Sequence, residues 1–203
     1  TICSNAGFLG NPIAQGVFGM MGLTLASIYL IPQRIMMWSE GVSVFTEAPT
    51  KKEMLKKIFT HPCIIACEIG IVLMLTGWRP PHFLEETITS VSNCNTAMSM
   101  LVIGMILADA DPKTIIDKDV LFYTFIRLLI IPFCVFIPCW LLHTDSLVMG
   151  VSVILAAMPA GATTTILASK YDCEEEFSVK LVVFSTAASL ITTPLWNMIL
   201  LKF

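Results

Sequence analysis

The sequence predicts an all-α, polytopic membrane protein in which two of the spanning segments are broken to line one polar site. Three observations carry this expectation. The chain of 203 residues is 56 % hydrophobic and only 13 % charged, with a mean hydropathy of +0.80, whereas a soluble domain has about 45–50 % apolar and about 25 % charged residues. Its charges cluster in a few short stretches and leave apolar runs of roughly 18–25 residues, long enough to span a bilayer. Two of those runs hold residues that a lipid-facing helix would not choose: "SNAGFLGNPIAQG" (4–16) and "ILAAMPAGATTTI" (154–166).

Hydropathy and turn signals divide the chain into one partial segment, 1–18, and six full ones at 23–45, 62–78, 84–110, 121–142, 147–170 and 177–201. The connections "TEAPTKKEMLKKIFTH", "RPPHF", "DPKTIIDKDV", "HTDS" and "YDCEEE" are short and polar, so consecutive helices must be antiparallel neighbours, with no second domain. Thr1 already lies in a segment of membrane character, without a positively charged start or a signal-peptide pattern. The chain therefore reads as a fragment with an N-terminal part upstream.

Lys51, Lys52, Lys56, Lys57, Lys113, Lys118 and Lys170 fall on alternate connections, and the opposite side holds only Arg79 and Lys202. The positive-inside rule then puts 46–61 and 111–120 in the cytoplasm, with 79–83, 143–146 and the C-terminus outside. Trp78 and Trp140 stand near the outer helix ends, as interfacial anchors do. "KKEMLKKIF" (51–59) reads either as an amphipathic helix on the inner leaflet or as a charged linker, since a polybasic stretch attracts anionic lipid in both cases. A net charge of −3 with no extended basic surface excludes nucleic acid. Cys63, Cys67, Cys94, Cys134 and Cys139, of seven cysteines, fall in apolar runs and read as small buried hydrophobes. Cys63 and Cys67 share a helix face, but the three histidines lie in separate connections, so no metal site and no cofactor is expected.

Lipid cannot satisfy the backbone groups that a broken helix frees, so breaks are tolerated where they line a cavity or are buried in protein. Half-helix N-termini at such a break present the positive ends of their dipoles to an anion, and an early break paired with a late one marks an inverted-repeat transporter. Around Pro12 and Pro159, each proline has glycines and uncharged polar side chains nearby: Asn5, Asn11 and Gln15 in one stretch, Thr163, Thr164 and Thr165 in the other. Pro32, Pro132, Pro138 and Pro194 lack such company and read as kinks.

Charges at membrane depth are the other candidates. Arg34 and Glu40, six residues apart, do not face each other and read as parts of a structural ion pair with a neighbouring helix. Glu68 lies in the next segment. Lys180 reads as snorkelling to the surface. Arg127 is open between snorkelling and serving as the counter-charge of an anionic solute. Asn93, Asn95 and Thr96 read as interhelical hydrogen-bonding residues.

An ordered set of motifs resembles the auxin efflux carrier family. "SNAGFLGNPIAQGVFG" (4–19) is similar to that family's fourth helix, "HPCIIACEIGIVL" (61–73) to its sixth, "NTAMSMLVIGMILAD" (95–109) to its seventh, "AAMPAGATTTILASKYD" (156–172) to its ninth and "FSTAASLITTPLW" (184–196) to its tenth. The resemblance implies a crossover-helix carrier of two inverted five-helix repeats, of which this chain covers helices four to ten of ten. It implies that Asn5, Gly10 and Pro12 on one side, and Pro159 and Gly161 on the other, meet at a substrate site. His61 stands where Asn-Pro is commoner, and Asn93 where plant members often carry an acid, so the resemblance implies no charge-dependent role there. The short 46–61 connection suits a bacterial member.

The expected function is a secondary transporter that moves a small organic anion, a carboxylate or auxin-like acid, across the plasma membrane by alternating access. Its substrate-binding residues would be Asn5, Gly10, Asn11, Pro12, Pro159, Gly161, Thr163, Thr164 and Arg127. Residues 1–45 and 121–203 would form the crossover part, and 62–110 the scaffold with a homodimer contact. Protons, sodium or the membrane potential alone are open as the driving force. A sodium-coupled bile-acid-type symporter or a cation/proton antiporter is the alternative, disfavoured because neither broken stretch contains an acid. An intramembrane enzyme lacks paired aspartates at depth, a Ser–His pair or a zinc-binding helix.

Overall fold

A computed structural model describes residues 4–37, 62–108, 117–171, 174–200 and 202. Among these residues every regular element is a helix. The chain is helical from Ala6 to Met36 but forms two arms, residues 6–18 (α1) and 20–36 (α2), because Gly19 has φ 68° and ψ −158°. Gln33 on α2 reaches back to hydrogen-bond Ser4, and a Cβ on Gly22 would lie 2.6 Å from the Ala14 carbonyl oxygen. These contacts make the arms an antiparallel hairpin that turns at a residue only glycine suits. The remaining helices are α3 (Pro62–Thr76), α4 (His82–Ala108), α5 (Lys118–Leu141), α6 (Ser146–Ala156), α7 (Ala162–Lys170) and α8 (Glu175–Leu200).

The second sequence break appears as expected: α6 and α7 are separated by extended backbone at Met158–Gly161. Residues 146–170 would reach roughly 37 Å at 1.5 Å per helical residue, enough to span a bilayer. The first break is displaced. Asn11 and Pro12 begin a regular α-helix, preceded by a π-helical turn at Ala6–Gly10, and the non-helical backbone lies earlier, at Ser4–Asn5. Pro12 removes only its own N–H, and the π turn, closed by the Asn11 N–H on the Ala6 carbonyl, carries the helix past it. Pro132 has the same arrangement, following the π turn Ile126–Ile130. The Leu128 carbonyl that Pro132 leaves without an i+4 donor accepts the Trp196 indole N–H at 2.9 Å.

α6 is apolar around its circumference and buried from Met149 to Ala156 except at Ser152, as expected of a helix enclosed by others. α1 runs antiparallel to it. A Cβ on Gly10 would come within 2.7 Å of Leu155 Cδ2, and one on Gly150 within 2.7 Å of the Phe18 ring. Ala14 and Ala26 are fully buried in the same core, with Trp196 and Leu200 from α8. Small residues that let backbones approach are what holds helices together in lipid, where apolar burial between helices has no driving force of its own. The outward side chains, among them Ile28, Phe122, Phe133, Leu190 and Ile191, are large, apolar and exposed. They present a surface suited to acyl chains rather than water. Trp78 and Trp140 are exposed at helix ends. Lys180, half-buried, pairs with Glu176 one turn earlier at 2.7 Å. The 46–61 connection, Glu40 and residues 109–116 lie outside the described residues, as do the side chains of Cys63, Cys67, Asn95 and Thr96.

Candidate functional site

The two breaks meet. The Asn5 amide donates to the Pro159 carbonyl at 2.8 Å, and Ser4 and Ala160 form an isolated antiparallel bridge. Two non-helical segments, 156 positions apart in sequence at the bridge, therefore cross and pair.

Three backbone groups freed at the second break have partners from three different elements. The Met158 carbonyl accepts from Arg127 Nε of α5 at 3.2 Å. The Pro159 carbonyl is taken by Asn5, and the Ala160 N–H donates to Ser185 Oγ of α8 at 3.1 Å. The Ser185 hydroxyl in turn donates to the Leu181 carbonyl at 2.6 Å. An unpaired backbone group in an apolar interior costs several kcal/mol. These three contacts are what allow the chain to stay unwound there.

Both α1 and α7 begin where the crossing ends, with N-caps at Asn5 and Gly161. Neither has an acidic residue in its first turn, so no carboxylate of their own offsets the positive ends of their dipoles. A cavity of ≈ 360 Å³ opens beside the crossing, lined by Ser4, Asn5, Gly7, Phe8 and Asn11 of the first break, by Leu30, Gln33, Arg34 and Met37 of the second arm, and by Thr163 of α7. Gln33 Nε2 donates to the Ser4 carbonyl at 2.9 Å and lies 3.2 Å from Ser4 Oγ, clasping α2 to the broken segment. Thr163 Oγ1 lies 3.5 Å from Met37 Sδ. Two polar atoms in the lining, Asn5 Nδ2 and Asn11 Oδ1, are buried with no hydrogen-bond partner among the described residues.

Of the residues the sequence singled out, Asn5, Asn11 and Thr163 line this cavity. Gly10 serves packing, and buried Pro159 and Gly161 form the crossing itself. Pro12 and Thr164 are half-buried in the turns that follow the breaks, the Thr164 N–H bonding the Gly161 carbonyl. Arg127 is buried and does not snorkel; it holds the Met158 carbonyl from behind the cavity and is absent from its lining. Ser4, Gln33 and Arg34 are the cavity's additional polar residues. The glycine spacing Gly16, Gly19 and Gly22 was the available sequence signal for them, since a hairpin turning there folds residues 30–37 back over residues 4–8.

The sequence matches the model of the family described as membrane transport protein over residues 1–197. It is 27 % identical over 198 residues to an uncharacterized transporter of Methanothermobacter thermautotrophicus, covering 97 % of this chain and 65 % of that protein. It is 21 % identical over 202 residues to an uncharacterized transporter of Escherichia coli, covering 94 % of this chain and 63 % of that one. With auxin efflux carrier component 8 of Arabidopsis thaliana it shares 23 % identity over 152 residues, 71 % of this chain and 41 % of the carrier. The chain thus spans about two thirds of the length of the microbial relatives. With helices apolar and long enough to cross a bilayer and a family match along nearly its whole length, the chain belongs to the auxin efflux carrier family of membrane transport proteins and is a multi-pass membrane protein.

Proposed function

We propose that this protein is a secondary transporter of a small organic anion, a carboxylate or auxin-like acid, which it binds where the two broken helices cross and releases by alternating access in an inverted-repeat crossover fold. The observation that carries the reading is the crossing: Asn5 bonds Pro159, and two helices start there with their dipoles unopposed by acids of their own first turns. Aligned N–H groups and positive dipole ends favour a carboxylate over a cation. A cavity of ≈ 360 Å³ is near the small end for ligand sites and suits a small acid. The name of the Arabidopsis relative agrees with such a substrate. On this reading residues 1–45 and 121–203 form the moving part, and 62–110 the scaffold and homodimer contact. The scaffold helices carry exposed apolar side chains such as Ile69, Val72, Phe83 and Val91, which a partner or lipid would cover.

Pro159→Ala tests it. Restoring the missing N–H lets α6 and α7 extend toward one another, so thermal stability of the full-length protein in detergent is expected to hold or rise while carboxylate uptake into proteoliposomes falls by about tenfold or more. Uptake at the wild-type rate would contradict the proposal.

A further inference from the structure

We infer that Arg34 is the residue that reads the charge of the transported anion, with the Asn5 side-chain amide as its second donor. The inference rests on the anion-carrier reading and goes beyond it by assigning the charge contact to a residue outside the two broken stretches. The cavity lining contains Arg34 as its cationic residue and, among the described residues, no acid. The guanidinium is half-buried and has no hydrogen-bond or ion-pair partner among the described residues. Its placement is fixed from both sides. Gln33, the preceding residue, is engaged with Ser4, which ties this turn of α2 to the crossing. Gly7 lies below, where even a Cβ would stand 3.8 Å from Arg34 Nη2, so the absent side chain leaves the fork uncovered.

Asn5 supplies the second observation. The residue is 2 % exposed, it lines the cavity, and its Nδ2 has no partner among the described residues. Buried polar groups are normally hydrogen-bonded, and one left open in a cavity wall marks where a ligand atom completes the network. A planar guanidinium and an amide donor together match the two oxygens of a carboxylate, which the fork can take in bidentate fashion. Phe8, Leu30 and Met37 line the rest of the cavity and would meet an apolar body. Arg127 is already committed to the Met158 carbonyl, so the two arginines have separate tasks, one holding the break and the other the ligand.

The test uses the full-length protein with two probes of the same shape, phenylacetate and its neutral amide, phenylacetamide. Binding is read by calorimetry in detergent, and thermal stability without ligand is read alongside. Arg34→Gln is expected to weaken phenylacetate binding by about 10- to 100-fold, the span of a hydrogen bond to a charged group. It should change phenylacetamide binding by less than about threefold and leave the melting temperature in place; Arg34→Lys recovers part of the acid's affinity. Asn5→Ala should weaken both probes alike, because an amide donor serves either carbonyl oxygen. Unchanged preference of Arg34→Gln for the acid overturns the inference while leaving the anion-carrier reading standing. So does an equal loss for both probes together with a lowered melting temperature, the signature of a structural ion pair. A wild-type protein that binds neither phenylacetate nor malonate overturns the carrier reading, and the role of Arg34 with it.

Discussion

Two buried side chains decide whether the second break can exist. Arg127 and Ser185 each satisfy one backbone group of the unwound stretch, and losing either leaves that group unpaired in an apolar setting. Arg127→Met and Ser185→Ala are each expected to destabilise the protein by about 1–3 kcal/mol, read as a fall in thermal unfolding temperature in detergent. Ser185→Thr, which keeps the hydroxyl, should recover most of the loss. Unfolding temperatures equal to wild type in both loss variants would show that the break needs no outside partners. Sequence alone left Arg127 between snorkelling and anion binding because its partner is a carbonyl freed 31 positions away, a group no residue type announces. Arg34 reads from sequence as part of an ion pair with a neighbouring helix, because a charge at membrane depth calls for a partner, whereas the turn at Gly19 brings it into the cavity lining.

At the scale of the element, prolines proved less informative than their neighbours. Pro159 stands within non-helical backbone, whereas Pro12 sits in a continuing helix whose break lies at Ser4–Asn5. Pro12 costs little there, because the π turn before it, closed by the Asn11 N–H on the Ala6 carbonyl, carries the hydrogen-bond ladder past the missing N–H. The turn at Gly19 is the element that assembles the cavity, since it brings Leu30, Gln33 and Arg34 over the first break. Gly19→Ala places a side chain at a positive φ and is expected to cost about 1–3 kcal/mol, read as a lowered unfolding temperature. It should also weaken carboxylate binding, since the Ser4–Gln33 clasp depends on that turn. An alanine variant that melts and binds like wild type would mean that this hairpin does not position the second arm.

For the whole molecule, the membrane class, the order of helices and the location of the second break were legible because each is written in local composition: apolar length, polar connections, and a proline–glycine pair amid threonines. The pairing of Asn5 with Pro159 was foreseeable on energetic grounds, since two breaks facing lipid separately are harder to sustain than two that satisfy one another. The register of that pairing, the two arginine roles and the lining contributed by α2 arise from tertiary contacts between distant segments, which local composition does not encode. The central claim is that both breaks face one bound solute, and protection from labelling measures it directly. Cysteines are introduced singly at Phe8 and at Thr163, one on each broken helix, in a protein whose native cysteines have been replaced. The account predicts that one carboxylate protects both from a thiol reagent, with half-protection at the same concentration. Protection of one position with the other left fully reactive at saturating solute would contradict it.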